Sequence, residues 1–207
     1  MKPILFNTEM VKAILDGRKN VTRRVVKHDI EAILNSPFHK QNPDVTDIQI
    51  INKLCTPPYQ IGDILYVRET WTNDKLIFGK NVVSNYLYKA DGDMEIVDNA
   101  GREVSYKWRP SLHMPKEAAR IFLKVIEVRV ERLQAITIDE IRKEGLSSMA
   151  VHAGDKEIAY KEWQLLWDST IDKKKMDQYG WDANPWVWVI EFDKEYLLEK
   201  ENDYARK

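Results

Sequence analysis

Apolar residues recur at helical spacing near the amino terminus, at Met10, Val11, Ile14 and Leu15, with Asn7 or Thr8 ahead of them as a cap. The spacing predicts a helix over 8–15, closed by Gly17 and preceded by a short strand over Ile4–Phe6. From Asn20 to Val26 the β-branched content predicts a strand, with Asn20, Thr22 and Arg24 on one face and Val21, Arg23 and Val25 on the other. Lys19 has the wrong parity for Thr22. The two meet only if Lys19 belongs to the turn after Gly17 and curls back.

Residues 28–56 are polar, with scattered Pro and Asn, and read as an insertion holding one short helix around Ile30–Leu34. Pro57-Pro58 and Gly62-Asp63 then bracket a turn that launches a strand over Ile64–Glu69, where Leu65, Val67 and Glu69 share a face. A carboxylate ending an otherwise apolar face is either a functional group or the partner of a nearby Arg. Tyr86–Tyr88 and Val104–Tyr106 read as two strands of a hairpin with a turn-rich connection. The longest strand candidate is Arg120–Arg132, whose apolar residues alternate as Ile121, Leu123 and Val125 and then shift phase to Ile126, Val128 and Val130. A β-bulge or a strand curving round a barrel produces that shift.

Thr137-Ile138-Asp139-Glu140 is a capping-box pattern for a helix that stops at Gly145. A longer helix over 155–169 aligns Ala159, Trp163, Leu166 and Trp167 on one stripe, and an apolar strand over Trp186–Phe192 follows a charged loop. The expected fold is α+β, a barrel with peripheral helices. It occupies 1–196 as a single domain with insertions at 28–56 and 72–115, followed by a charged tail at 197–207.

Composition narrows the partners. The chain has 207 residues, 43% hydrophobic and 31% charged, enough to bury a sizeable core. Its net charge of −1 disfavours a protein that grips extended duplex DNA through many phosphates, and leaves a nucleoside, a nucleotide or a short single-stranded RNA open. Cys55 is the single cysteine and cannot form an intrachain disulfide. No apolar run approaches the roughly 20 residues of a membrane span. These features set the expectation of a cytoplasmic protein with no membrane partner.

The candidate chemistry concentrates in Gly17–Lys27, which carries five cationic side chains and no acid directly after a helix-ending glycine. That pattern describes an anion or nucleotide site, and equally a solvated basic strand. A second cluster, Trp108-Arg109-Pro110 through His113, joins an aromatic, a cation and an imidazole in a loop, and Trp71 follows the strand that ends at Glu69. Such side chains can stack an unpaired base and hydrogen-bond its edge. Most of the chain's seven tryptophans are expected in the core. His28, His39, His113 and His152 lack metal-ligand spacing, and no Gly-rich phosphate loop or Gly-x-Ser-x-Gly elbow occurs, so no metal and no cofactor is expected.

The block Gly17-x-Lys19-x-x-Thr22-x-Arg24 resembles the signature of the ASCH domain, a branch of the PUA-like superfamily of small nucleic-acid-associated β-barrels. Pro57–Trp71, Trp108–Pro115 and Trp186–Phe192 are similar to longer ASCH proteins of phage and prophage genomes. Many ASCH members carry Glu where this chain has Thr22. Thr at that position is similar to the subgroup that removes the acetyl group from N4-acetylcytidine. By position, Glu144 matches the carboxylate that completes that subgroup's site.

The resemblance implies a PUA-like barrel and a small metal-independent amidohydrolase acting on an acylated nucleobase, with Lys19, Thr22 and Glu144 as catalytic residues. Arg18, Arg24, Glu69, Trp71, Trp108, Arg109 and His113 are the candidate ligand contacts. A non-catalytic module that binds RNA, a nucleotide or a modified base is the alternative, and a metal-independent ribonuclease a further one. An unperturbed lysine, with a pKa of about 10.4, is protonated at neutral pH and cannot act as a base. Burial and cationic neighbours lower that value and a nearby Glu144 raises it. Lys19 is therefore a base if burial prevails, and an oxyanion donor beside Glu144 if it does not.

Overall fold

In a computed structural model of the chain, the structure describes residues 1–42, 44–73, 76–78, 81–84, 86–92 and 107–193. The elements begin with β1 (Lys2–Leu5), α1 (Thr8–Leu15), β2 (Val21–Val25), α2 (Ile30–Leu34), α3 (Pro37–Gln41) and α4 (Asp47–Leu54). There follow β3 (Ile64–Arg68), β4 (Trp71–Thr72), β5 (Leu76–Phe78), β6 (Asn81–Ser84), β7 (Leu87–Tyr88) and the long β8 (Phe122–Arg132). The chain continues through α5 (Ile138–Lys143), α6 (Met149–Ala153), α7 (Lys156–Ser169), α8 (Met176–Tyr179) and β9 (Trp186–Asp193).

The architecture is mixed α+β. Five strands form one sheet in the order β1-β3-β8-β9-β2. β1 runs parallel to β3, from Lys2 opposite Leu65 to Leu5 opposite Arg68. β3 pairs antiparallel with β8, and β2 pairs antiparallel with β9 from Val21 opposite Glu191 to Val25 opposite Val187. By their internal contacts the residues group into two compact units, one built from Met1–Gly17 and Ile64–Lys124, the other from Arg18–Asp63 and Val125–Asp193.

The first unit contains α1, which starts where the Asn7 side chain accepts the Met10 N–H and buries Val11, Ala13 and Ile14. A cluster of buried residues in this unit joins Tyr66, Trp71, Met114, Ala118, Ala119 and Phe122. β7 pairs with β4, Trp71 opposite Tyr88. The expected partner of β7, Val104–Tyr106, lies outside the described residues, as does the tail at 197–207.

The second unit is organised round α7. Ala159, Trp163 and Trp167 point from this helix into a core that also takes Val21 of β2, Val187 and Val189 of β9, Ile141 of α5 and Val151 of α6, with Leu166 half-buried at its margin. Helical spacing puts the three buried residues on one stripe, so the helix covers the paired β2 and β9 with its apolar face. The insertion holds three helices, not the single one expected at 30–34. Each has its own start signal: Asp29 caps α2, Ser36 and a first-turn Pro37 open α3, and a Thr46–Gln49 capping box opens α4. Ile50 and Ile51 of α4 are buried, which anchors the segment.

β8 shows the phase change expected of it, with Leu123 and Val125 buried, then Val130. The change falls where the strand passes from one unit to the other. Ile126, expected to begin the second buried set, is 45% exposed. Among the described residues, no helix is long and apolar enough to cross a membrane.

Candidate active site

The chain turns at Gly17, whose φ of 82° is a left-handed conformation that glycine adopts without steric cost. Two residues later Lys19 forms a β-bridge with Glu144, and the Asn20 N–H donates to the Lys143 carbonyl at 2.9 Å. These backbone contacts hold the carboxyl end of α5 against the entry to β2. Arg18 reinforces the junction by donating to the Gly145 carbonyl at 2.7 Å. α5 itself is fixed by the expected capping box, Thr137 with Glu140. Glu144 is its C-cap and the following Gly145 has φ 95°, so the helix ends with the carboxylate turned toward Lys19.

Lys19 is completely buried, which is exceptional for an ammonium group. Its Nζ donates to Glu144 Oε2 at 2.6 Å, to the Val21 carbonyl at 2.7 Å and to the Glu144 carbonyl at 3.0 Å. The reach to Val21 shows the side chain folded back along the start of β2. Burial lowers the pKa of Lys19 below its ordinary value; the Glu144 charge and hydrogen bond oppose that shift, and the Arg24 and Arg23 charges add to it. Burial prevails over the carboxylate.

Glu144 is shared. Its Oε1 accepts from Arg23 Nη1 at 3.1 Å while Oε2 faces Lys19. Arg23 is buried on the same face of β2 as Val21 and also donates to Glu131 Oε1 through Nε at 3.1 Å and Nη2 at 2.7 Å. Glu140 lies 3.3 Å from the same guanidinium. Arg129 completes the network through ion pairs with Glu131 and Glu140.

Thr22 is buried on the opposite face of β2, and its Oγ1 accepts from Arg24 Nη1 at 2.8 Å. Arg24 is half-buried. Burial lowers its pKa, and the charges of Glu144 and Tyr59 act against that. Arg24 thus hydrogen-bonds Thr22, while its charge acts on Lys19 and is acted on by Glu144. Tyr59, raised above its ordinary pKa chiefly by burial, stands near this guanidinium.

The remaining sequence candidates belong to the first unit and form their own cluster. Glu69 is buried and bound in a two-point contact by Arg120, Nε to Oε1 at 2.9 Å and Nη2 to Oε2 at 3.0 Å. The carboxylate ending the β3 face is therefore the partner of an Arg. Arg120 also contacts Asp91 at 2.7 Å and lies 3.9 Å above the Tyr88 ring. Burial pushes the Tyr88 phenol up to about 12. Trp71 is buried, with Arg109 stacked 5.3 Å from its ring and Tyr86 at 5.7 Å. Trp108 is half-buried, while Arg109 and His113 are exposed.

Arg23, Glu131 and Tyr59 were not among the sequence candidates. A signal existed for Arg23: an arginine between Val21 and Val25 on the face of a strand expected to be apolar calls for buried acids. Among the described residues, no group of three His, Cys, Asp or Glu side chains is arranged to hold a metal ion. Comparison of the chain with protein-family models, curated proteins and solved structures found no significant match.

Proposed function

We propose that this chain is a small amidohydrolase of ASCH type, built on a PUA-like barrel, that removes an acyl group from a modified nucleobase or nucleoside such as N4-acetylcytidine. The observation that carries this reading is the buried Lys19, lowered in pKa and held at 2.6 Å by Glu144. A lysine in this condition gives up its proton more readily than an exposed one, as a general base near neutral pH requires.

In this reading the neutral Lys19 amine takes the Thr22 hydroxyl proton as Oγ1 attacks the acyl carbonyl. Arg24, already donating to Oγ1, steadies the developing charge. When the C–N bond breaks, the Lys19 proton passes to the departing N4 amine. Water then attacks the acyl-threonine ester, its proton returns through Lys19 to Thr22, and the carboxylic acid leaves. Glu144 orients the amine and stabilises its protonated form.

A second reading, a non-catalytic module for RNA, a nucleotide or a modified base, is favoured by one observation. Nζ already donates to at least three acceptors, as many as an ammonium has hydrogens, so a charged Lys19 must break a bond before it can serve an oxyanion. Incubating the purified protein with a panel of acylated cytidines and following the deacylated nucleoside by chromatography separates the two. Hydrolysis of at least one supports the enzyme, and binding without hydrolysis supports the module.

A further inference from the structure

Of the arginines in the basic stretch after Gly17, Arg23 is used by neither the motif nor the proposed chemistry and yet is buried. Arg23 is 2% exposed, yet the structure surrounds it with three carboxylates from two elements, Glu131 on β8 and Glu140 and Glu144 at α5. Two of its three nitrogens are committed to Glu131, and the third, Nη1, reaches Glu144. A planar guanidinium anchored at two points has little rotational freedom, so the direction of its remaining donor is fixed.

We propose that Arg23, tethered by Glu131, is a positioning residue: it holds Oε1 of Glu144 so that Oε2 faces the Lys19 amine, and it divides the charge of that carboxylate between two cations. The inference rests on Lys19 and Glu144 being the acid–base pair of the proposed reaction. Without Arg23, Glu144 is free to rotate about its terminal bond and gives its whole charge to Lys19. The amine is then held more firmly in its protonated form and is a poorer base. With Arg23 present but Glu131 neutralised, the guanidinium charge is less compensated and Lys19 loses its proton more easily.

Lys19 is influenced by Glu144 from α5 and by Arg23 and Arg24 from β2. Arg23 meets Glu131, Glu140 and Glu144, and Arg129 of β8 meets Glu131 and Glu140. Arg24 is influenced in turn by Glu144 and Tyr59. Removing the Arg23 charge and removing the Glu131 charge therefore push Lys19 in opposite directions, which a purely structural role does not predict.

The test is the titration of Lys19 itself, followed by the carbon resonance next to Nζ in protein labelled with 13C-lysine and assigned by its loss in Lys19→Met. Arg23→Gln is expected to raise the proton affinity of Lys19 by at least about threefold, half a pKa unit, and Glu131→Gln to lower it. Unchanged midpoints, or shifts of the same sign in both variants, overturn the proposal. Where Arg23→Gln does not fold, the Glu131→Gln midpoint decides alone: a fall supports the proposal, and no change or a rise overturns it. The readout needs no turnover, so failure of the hydrolase reading in the nucleoside assay is distinguishable from failure of this one.

Discussion

Lys19 Nζ and Glu144 Oε2 stand 2.6 Å apart although 125 residues separate them in the chain. Both side chains are almost wholly removed from water. Taking two charges out of water costs several kcal/mol each, so a buried pair is weak evidence for stability and better evidence for a constrained site.

The stability of the protein depends on pH through Lys19. In the unfolded chain this lysine ionises near its ordinary value of 10.5, and in the fold it ionises lower. Between those two values the unfolded chain binds the proton and the folded chain does not, so folding is favoured increasingly as pH rises through that window. Below the folded value both states are protonated and the contribution is flat. Urea unfolding of the parent and of Lys19→Met, compared at several pH values up to 10, is expected to show the difference moving in the parent's favour with rising pH. The slope is at most about 1.4 kcal/mol per pH unit. A difference that falls with pH contradicts the direction of the shift.

Arg120→Met leaves the buried Glu69 without its two-point partner and is expected to cost about 3 kcal/mol of stability at neutral pH. Burial already raises the Glu69 pKa, and Arg120 opposes that rise. Loss of the arginine raises the folded value further above the unfolded one, so the missing stability is recovered as pH falls and Glu69 takes up a proton. Unfolding curves of the variant at pH 7 and pH 4 check this: its deficit relative to the parent shrinks on acidification.

Binding of a short single-stranded RNA is expected to weaken only gently with salt, with a slope equivalent to about one or two released counterions. The net charge of −1 supplies little long-range attraction, and much of the cationic cluster is engaged internally, Arg23 by three acids and Lys19 by Glu144. A salt titration with a slope equivalent to six or more contacts identifies a protein that tracks duplexes.

Much of this molecule was legible where the cause is local. Helix α1, the Thr137–Glu140 capping box, the stripe on α7 and the strand at Trp186 all follow from spacing within a dozen residues. The parallel pairing of β1 with β3 was not, because it joins segments some sixty positions apart with nothing local to specify register. α3 and α4 were missed because their caps, Ser36 and Thr46, sit in a polar stretch whose composition reads as loop. At the site, the run of positive charge was visible, but the acids that bury it come from β8 and α5. Charge at a single segment does not distinguish a wet surface from a compensated interior. Lys19 does fold back after the Gly17 turn, but toward Glu144, whose carboxylate it shares with Arg23, and nothing in the strand's alternation specifies that contact.

Whether Thr22 carries the acyl group is read from the initial rate of cytidine release from N4-acetylcytidine by the parent protein and by Thr22→Val. Valine keeps the shape of threonine and removes only the hydroxyl that Arg24 contacts. The parent is expected to release cytidine and acetate in equal amounts, and the variant to react at least roughly a thousandfold more slowly. Affinity for the nucleoside should stay within about tenfold, or about 1.4 kcal/mol. Cytidine release by Thr22→Val at the parent's rate, or no hydrolysis of any acylated cytidine by the parent, contradicts that role of Thr22.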